Sequence, residues 1–420
     1  MQQIYTYRDG GLRSAWLRGF NHAGAALQRV GLKPSLDPDS IVRAAIREAG
    51  AFDTGGDSYR EPLEQFVGAL EEEAHISTFG RLIIKKTLTS MLAHRIQLHT
   101  WTEGNPEARK EEIKQPWVIV GLPRTGTTLL SMLMGLDPQS RALLQWESRS
   151  SVPPSTLANA RTDPRIAECE EQTDSLHKLN PALRAMHPFG ATLPEECVPF
   201  MMLDIRTLGM ETQAHVPSYG RWVDACDMAP AYVQHKKALQ ALQVGQPTER
   251  WVLKTPNHLW CLDTLLDFYP DARIIWTHRD PGPVTASVSS LNTTLQSVFA
   301  RNLQPKVIGQ HWLQKMQTGI ERGIAYDEKA QAEGQPDWCF HLHYSDFMRD
   351  PLAAIRGIYA HFDEEPSPLH ERRIDAWLRE KPQNEFGRHG YDPKDFGWSY
   401  EELAEVWKPY TERYGIEREK

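Results

Sequence analysis

The stretch Trp117 to Leu130, WVIVGLPRTGTTLL, constrains this chain more than any other. Four apolar residues, Trp117 to Val120, read as a short buried strand. Gly121 to Thr128 then reads as a tight loop. Leu129, Leu130, Leu133, Met134 and Leu136 follow at helical spacing, so a buried helix begins where the loop ends. A strand, a glycine-bearing loop and a helix N-terminus together make an anion site. Successive backbone N–H groups converge there, and the helix dipole adds partial positive charge.

The spacing from Gly121 to Gly126 matches the nucleotide-binding P-loop pattern, G-x-x-x-x-G-K-[ST]. Thr127 stands where that pattern has lysine. The missing lysine normally follows charge on the β- and γ-phosphates, so ATP or GTP hydrolysis is disfavoured. The fixed charge is instead Arg124, inside the loop, with hydroxyls from Thr125, Thr127 and Thr128. A guanidinium fork and several hydroxyls suit a compact, multiply charged phosphate-like group held without a metal.

Pro123-Arg124-Thr125-Gly126-Thr127-Thr128 resembles the 5′-phosphosulfate loop of sulfotransferases that use 3′-phosphoadenosine 5′-phosphosulfate (PAPS), most closely their bacterial and tyrosylprotein-type branch. The resemblance runs over roughly residues 115 to 415 in motif order. It implies a P-loop three-layer α/β sandwich, a central mostly parallel sheet flanked by helices, plus an N-terminal helical region. The expected division is a helical region over 1–114 and the sulfotransferase domain over 115–420. Arg124, Thr125, Gly126, Thr127, Thr128 and Leu129 become candidates for gripping the donor's phosphosulfate.

A second anchor lies downstream. Trp251 to Leu253 reads as a short strand, and Lys254-Thr255-Pro256-Asn257-His258 leaves its end. Leu259, Leu262, Leu265 and Leu266 mark a helix. Arg273 to Thr277 is another strand, followed by His278-Arg279-Asp280-Pro281 and a helix carrying Ser287. Strand–helix–strand at this spacing predicts a parallel βαβ unit, and ligands of such sheets bind beyond the carboxyl ends of the strands. The resemblance assigns Arg279 and Ser287 to the 3′-phosphate. It assigns Lys254 to charge on the departing oxygen, where a fixed cation lowers the barrier. Tyr344, in Tyr-Ser-Asp-Phe, is assigned to the adenine side. Arg388 and His389, in Gly-Arg-His, are assigned to the neighbourhood of the 3′-phosphate.

Transfer to an alcohol needs a base, and a partly buried carboxylate can serve. Glu147 follows Trp146 at the end of an apolar run, and a glutamate in a similar place is the base of tyrosylprotein sulfotransferases. Glu147 is therefore the expected base, with a histidine as the alternative. His187 and Glu196, around a Leu-Pro-Glu-Glu element, and His311 are acceptor-side candidates. Phe200, Met201, Met202, Tyr219, Trp222 and Tyr232 would line an apolar acceptor pocket or simply form core. His341 and His343 share a strand face without a third ligand, so no metal is expected.

The remaining chain sets limits. Residues 1 to 114 carry helical stripes: Leu12, Trp16 and Phe20; Ile41, Ala44 and Ile46; Leu63, Phe66, Val67 and Leu70; Leu82, Ile84, Leu88, Met91 and Leu92. At 420 residues, 40% hydrophobic and 24% charged, the chain is of ordinary globular composition. A formal charge of −8 argues against a general nucleic-acid binder. Five scattered cysteines and no C-x-x-C fit a reducing compartment, and the cytoplasm is expected. No secretory signal is visible, and no apolar run reaches the roughly 18 residues of a membrane span. The expected activity is sulfuryl transfer from PAPS, with PAP as product, to a small-molecule hydroxyl acceptor, with homo-oligomerisation left open. Two other classes share the loop: a P-loop small-molecule kinase and a catalytically silent nucleotide-binding partner protein.

Overall fold

The computed structural model describes residues 3–11, 15–380 and 388–419. Leu12 and residues 384–387 of the Gly-Arg-His segment lie outside them. The described strands are β1 (Ile4–Tyr5), β2 (Trp117–Gly121), β3 (Ser140–Ala142), β4 (Arg250–Lys254), β5 (Arg273–His278), β6 (Cys339–His343) and β7 (Arg388–His389). Five of them form one parallel sheet in the order β3-β4-β2-β5-β6. Helices pack on both faces, as the α/β reading requires. β3 is the strand the apolar pattern did not reveal, because Ser-Arg-Ala carries no hydrophobic run.

β2 shows why the sheet is buried on both sides. Its side chains alternate. Trp117 and Ile119 join one core cluster with Leu130, Leu133 and Ile355, while Val118 and Val120 join another. That second cluster is continuous with the N-terminal helices, through Ile84, Leu88, Leu92 and Ile96 of the Thr78–Gly104 helix. The helical region and the sheet thus share one interior.

The Ala15–Arg29 helix departs from its expected stripe. Trp16 is 70% exposed and Phe20 38% exposed, and the helix turns Leu17 and Gly24 inward instead. Gly24 lies so close to Thr78 that a Cβ would meet its hydroxyl at 2.0 Å. A small residue sets this contact, and the aromatic stripe faces outward. Leu82 is also exposed, whereas Ile84, Leu88 and Leu92 are buried.

The topology concentrates chemistry at one edge. β2 lies between β4 and β5, so the chain leaves it toward one side of the sheet and returns on the other. Such a switch point opens a crevice at the strands' carboxyl ends. The Gly121–Gly126 loop, Lys254 and Arg279 all stand there. β1 pairs in parallel with β7, Tyr5 opposite His389, and ties the N-terminal segment to the strand bearing Arg388 and His389.

Candidate active site

The loop is held in shape by its own side chains. Gly121 has φ +139°, and a Cβ there would sit 2.4 Å from the Thr277 hydroxyl. Gly126 has φ +88° and is the N-cap of the Thr127–Met134 helix; a Cβ would press on the Tyr344 ring at 3.0 Å. Only glycine meets both demands. Thr125, placed by sequence among the donor ligands, is instead a buried clip. Its hydroxyl donates to the Leu122 carbonyl at 2.7 Å and pairs with the Thr277 hydroxyl at 2.7 Å. Thr127 and Thr128 occupy the first helical turn, where N–H groups without intrahelical partners suit an anion.

Arg124 adopts φ +68°, uncommon for a residue with a Cβ and a form of strain that clusters at functional sites. The twist sends its guanidinium inward. Nε donates to the Ser287 hydroxyl at 3.2 Å, and a terminal nitrogen donates to the Met186 carbonyl at 2.7 Å. Burial lowers its pKa from the usual arginine value, yet arginine stays charged in proteins.

Arg279 reaches the same loop from β5. It donates to the Arg124 carbonyl at 2.7 Å and lies over the Tyr344 ring at 4.2 Å. Arg124, Arg279, Ser287, Gly126 and Tyr344 therefore form one contiguous surface, from residues up to 220 positions apart in sequence (344 − 124). His389 joins it: its Nε2 pairs with the Ser290 hydroxyl at 2.9 Å, and burial, aided by the Arg124 charge, pulls its pKa down to about 3. Arg388, on the same short strand, is exposed.

Sequence reasoning gave no sign of Glu419. Its carboxylate grips Arg279 through two hydrogen bonds, at 2.5 and 2.8 Å, and its own N–H donates to Asp280 at 2.8 Å. Although burial opposes it, this clamp raises the Arg279 pKa. The fork assigned to a phosphate is thus occupied by a carboxylate. Glu419→Gln is expected to tighten PAP binding about two- to fivefold, the scale of a partly exposed ion pair; isothermal titration calorimetry checks this.

Across the crevice, Lys254 is 2% exposed and donates to Glu196 Oε1 at 2.8 Å. Burial alone would raise the Glu196 pKa, but the Lys254 charge and hydrogen bond, with His187 nearby, bring it below the usual value. Burial and the neighbouring Lys254 and Arg124 charges pull the His187 pKa down to about 4, with Glu196 opposing. His187 is therefore neutral at neutral pH, and its Nδ1 is buried with no hydrogen-bond partner among the described residues. The same histidine lines a cavity of about 660 Å³ beside Thr128, Leu129, Met132, Phe189 and Trp377.

Glu147 stands elsewhere. It is 1% exposed, receives Arg141 at 2.6 Å, and caps the Leu144 N–H. Arg141 is anchored to the Leu242 and Gln246 carbonyls, at the approach to the amino end of β4. Lys254 is at the other end of that strand. The carboxylate chosen as base is thus consumed by a structural ion pair and does not line the cavity. Glu147→Gln is expected to cost about 1–3 kcal/mol of stability, the scale of a charge-assisted hydrogen bond, while the folded fraction keeps its turnover; thermal melts paired with active-site titration check this.

His311 is corrected likewise. Its Nε2 meets Glu211 at 2.6 Å within a buried cluster that includes Lys315 and Asp224, apart from Arg124 and Lys254. Of the two readings open for the aromatic and methionine residues, core holds for Phe200, Met201, Tyr219 and Tyr232, which are fully buried. The apolar wall comes from Leu129, Met132, Phe189, Leu193, Met348 and Trp377 instead. Phe189 and Leu193 flank the His187 segment and were within reach of a sequence reading; Trp377 arrives from a distant helix.

A family model described as the sulfotransferase family matches residues 116–368. The structure superposes on crystal structures of sulfotransferase STF9 from Mycobacterium avium (TM-score 0.82, 30% identity, 90% of this chain and 97% of that one) and of STF1 from Mycobacterium tuberculosis H37Rv (TM-score 0.79, 28% identity, 88% and 98%). The omega-hydroxy-beta-dihydromenaquinone-9 sulfotransferase Stf3 of Mycobacterium bovis is 25% identical over 317 residues, covering 72% of this chain and 76% of that protein. With the loop, sheet order and matched span in agreement, this chain belongs to the sulfotransferase family and is an enzyme of sulfuryl transfer.

Proposed function

We propose that this sulfotransferase moves the sulfuryl group of PAPS to the hydroxyl of an apolar small molecule by in-line displacement, with His187 as the base. The observation that carries this reading is the placement of a neutral imidazole at the edge of an apolar cavity, within reach of the Arg124 and Lys254 charges. Arg124 and the loop N–H groups hold the phosphosulfate end. Arg279 and Ser287, reached through the same loop, hold the 3′-phosphate. His187 accepts the acceptor's proton as oxygen meets sulfur. Lys254, oriented by Glu196, meets the charge that develops on the departing phosphate oxygen.

The donor's negative charge also counteracts the two cations that depress His187, so its proton affinity rises when the donor is in place. The acceptor's apolar body would rest on Met132, Phe189, Leu193 and Trp377. Among the described residues, no helix is long and apolar enough to cross a membrane, and all five cysteines are unpaired. Both fit a protein at work in the reducing cytoplasm.

The test is a transfer assay with sulfur-labelled PAPS against hydroxyl compounds graded from sugars to long-chain and polyprenyl alcohols and phenols. Label is expected on apolar alcohols or phenols. Transfer only to sugars overturns the acceptor assignment; PAP binding without transfer to any compound overturns the catalytic reading.

A further inference from the structure

Behind the Lys254 strand end lies a second cluster that the transfer chemistry does not use. Cys197, His235 and His258 are all fully buried, and one ligand atom from each falls within 4.8 Å of the other two. They come from three different elements. Cys197 follows Glu196 and donates its N–H to the Lys254 carbonyl at 2.9 Å. His235 lies on the Ala229–Gly245 helix. His258 lies on the turn after β4.

The two imidazoles are arranged alike. His235 Nδ1 pairs with the Tyr269 hydroxyl at 2.8 Å, and His258 Nδ1 pairs with the Tyr232 hydroxyl at 2.7 Å. In both, Nε2 is buried without a partner among the described residues. The rings stand 5.9 Å apart at 84°. Leaving two buried ring nitrogens unsatisfied carries their full desolvation cost, so the arrangement needs an explanation. With the proton on Nδ1 and donated to the hydroxyl, each Nε2 keeps a free lone pair, the tautomer and outer hydrogen bond that a metal-bound histidine needs.

We propose that Cys197 Sγ, His235 Nε2 and His258 Nε2 bind one soft d¹⁰ cation, Cu(I) or Zn(II). One sulfur and two imidazole nitrogens select those ions over Mg²⁺ or Ca²⁺, which demand oxygen. Donors about 2.0–2.3 Å from one ion stand roughly 3.5–4 Å apart, so closing the site takes movements of about 1 Å. Binding replaces the S–H bond by an S–metal bond and releases the proton to solvent. Without an ion, burial holds the Cys197 thiol up at about 12 and keeps His235 down at about 3, so the empty cluster is neutral. The site is structural. It fixes Cys197, hence the adjoining Glu196 and the strand end that carries Lys254.

The full-length protein, purified anaerobically under reducing conditions, is stripped with a chelator and titrated separately with Cu(I) and Zn(II) against a colorimetric competitor. About one equivalent of either ion per chain is expected. Co(II), as a spectroscopic stand-in, should give a thiolate-to-metal absorption band. Cys197→Ser and His258→Gln should each weaken binding by roughly 100-fold or more, while Cys226→Ser leaves it unchanged. Failure of the intact chain to bind either ion, a Co(II) spectrum without thiolate character, or binding unaltered in both ligand variants would overturn the assignment. The first two readouts use the wild-type chain, so a variant that fails to fold does not rescue the proposal.

Discussion

His187→Asn is expected to lower turnover by about 10²–10⁴, the usual contribution of a positioned base, while PAP affinity stays within about threefold of wild type. The asymmetry follows from geometry. His187 lines the cavity, whereas PAP is assigned to the contiguous Arg124, Arg279 and Ser287 surface. Asparagine keeps a polar side chain of similar reach, so the Lys254–Glu196 pair retains a polar neighbour. The pH profile adds an independent readout. The His187 pKa is down at about 4, because burial and the Lys254 and Arg124 charges disfavour its protonated form. Catalysis needs the unprotonated ring, so kcat/KM should be flat from neutral to weakly acidic pH and fall as pH drops through that low value. The donor's anionic charge raises the ring's affinity for a proton in the complex. The acid limb of kcat should therefore lie at higher pH than that of kcat/KM, since the two report the complex and the free enzyme respectively. Wild-type turnover in His187→Asn would remove the histidine from the base role. If Glu147→Gln were the variant that lost turnover, the original carboxylate assignment would return.

The contrast between Glu147 and His187 shows where sequence legibility ends. The strand–loop–helix at 117–134 and the strand ends at Lys254 and Arg279 were readable because they are local: apolar run, glycine or proline, then helical spacing. The parallel direction of β4 and β5 followed from those short units and the crossover rule; the strand order did not. Glu147 looked like a base for local reasons too, an acid after a tryptophan near the loop. Its fate is decided by Arg141, held to carbonyls about a hundred residues later. Arg141 stands only six residues before Glu147, but nothing near either position records the distant carbonyls that turn it toward the carboxylate. The same holds for His311, claimed by Glu211, and for Thr125, whose hydroxyl is spent on Thr277. Glu419 is the converse case. An acidic residue far from any motif reaches Arg279 because the Tyr400–Arg413 helix packs on the helix that carries Ser287, through Trp407 and Thr285. Burial and pairing are tertiary properties; spacing and charge are not.

Arg279→Ala should weaken PAP by about 100-fold, as expected for losing charge-assisted hydrogen bonds to a phosphate, yet change the affinity for adenosine 5′-phosphosulfate by no more than about threefold. Of the two ligands only PAP carries a 3′-phosphate; adenosine 5′-phosphosulfate lacks it and bears a sulfuryl group on its 5′-phosphate, at the end assigned to Arg124 rather than Arg279. A residue that serves only that group should discriminate between them. Arg279 also braces the loop by donating to the Arg124 carbonyl at 2.7 Å and covers the Tyr344 ring. If bracing were its main role, the loop would loosen and both nucleotides would weaken together. The comparison thus separates a ligand from a prop. Glu419 sharpens it further. In wild type the phosphate must displace that carboxylate from the guanidinium, so Glu419→Gln should favour PAP and leave adenosine 5′-phosphosulfate nearly unchanged. In an Arg279→Ala background the clamp has nothing to hold, and the added Glu419→Gln change should have no further effect on PAP. Such non-additivity is the mark of two side chains acting on one another. Equal weakening of both nucleotides by Arg279→Ala, or a Glu419 effect that persists without Arg279, would contradict the assignment of this arginine to the 3′-phosphate.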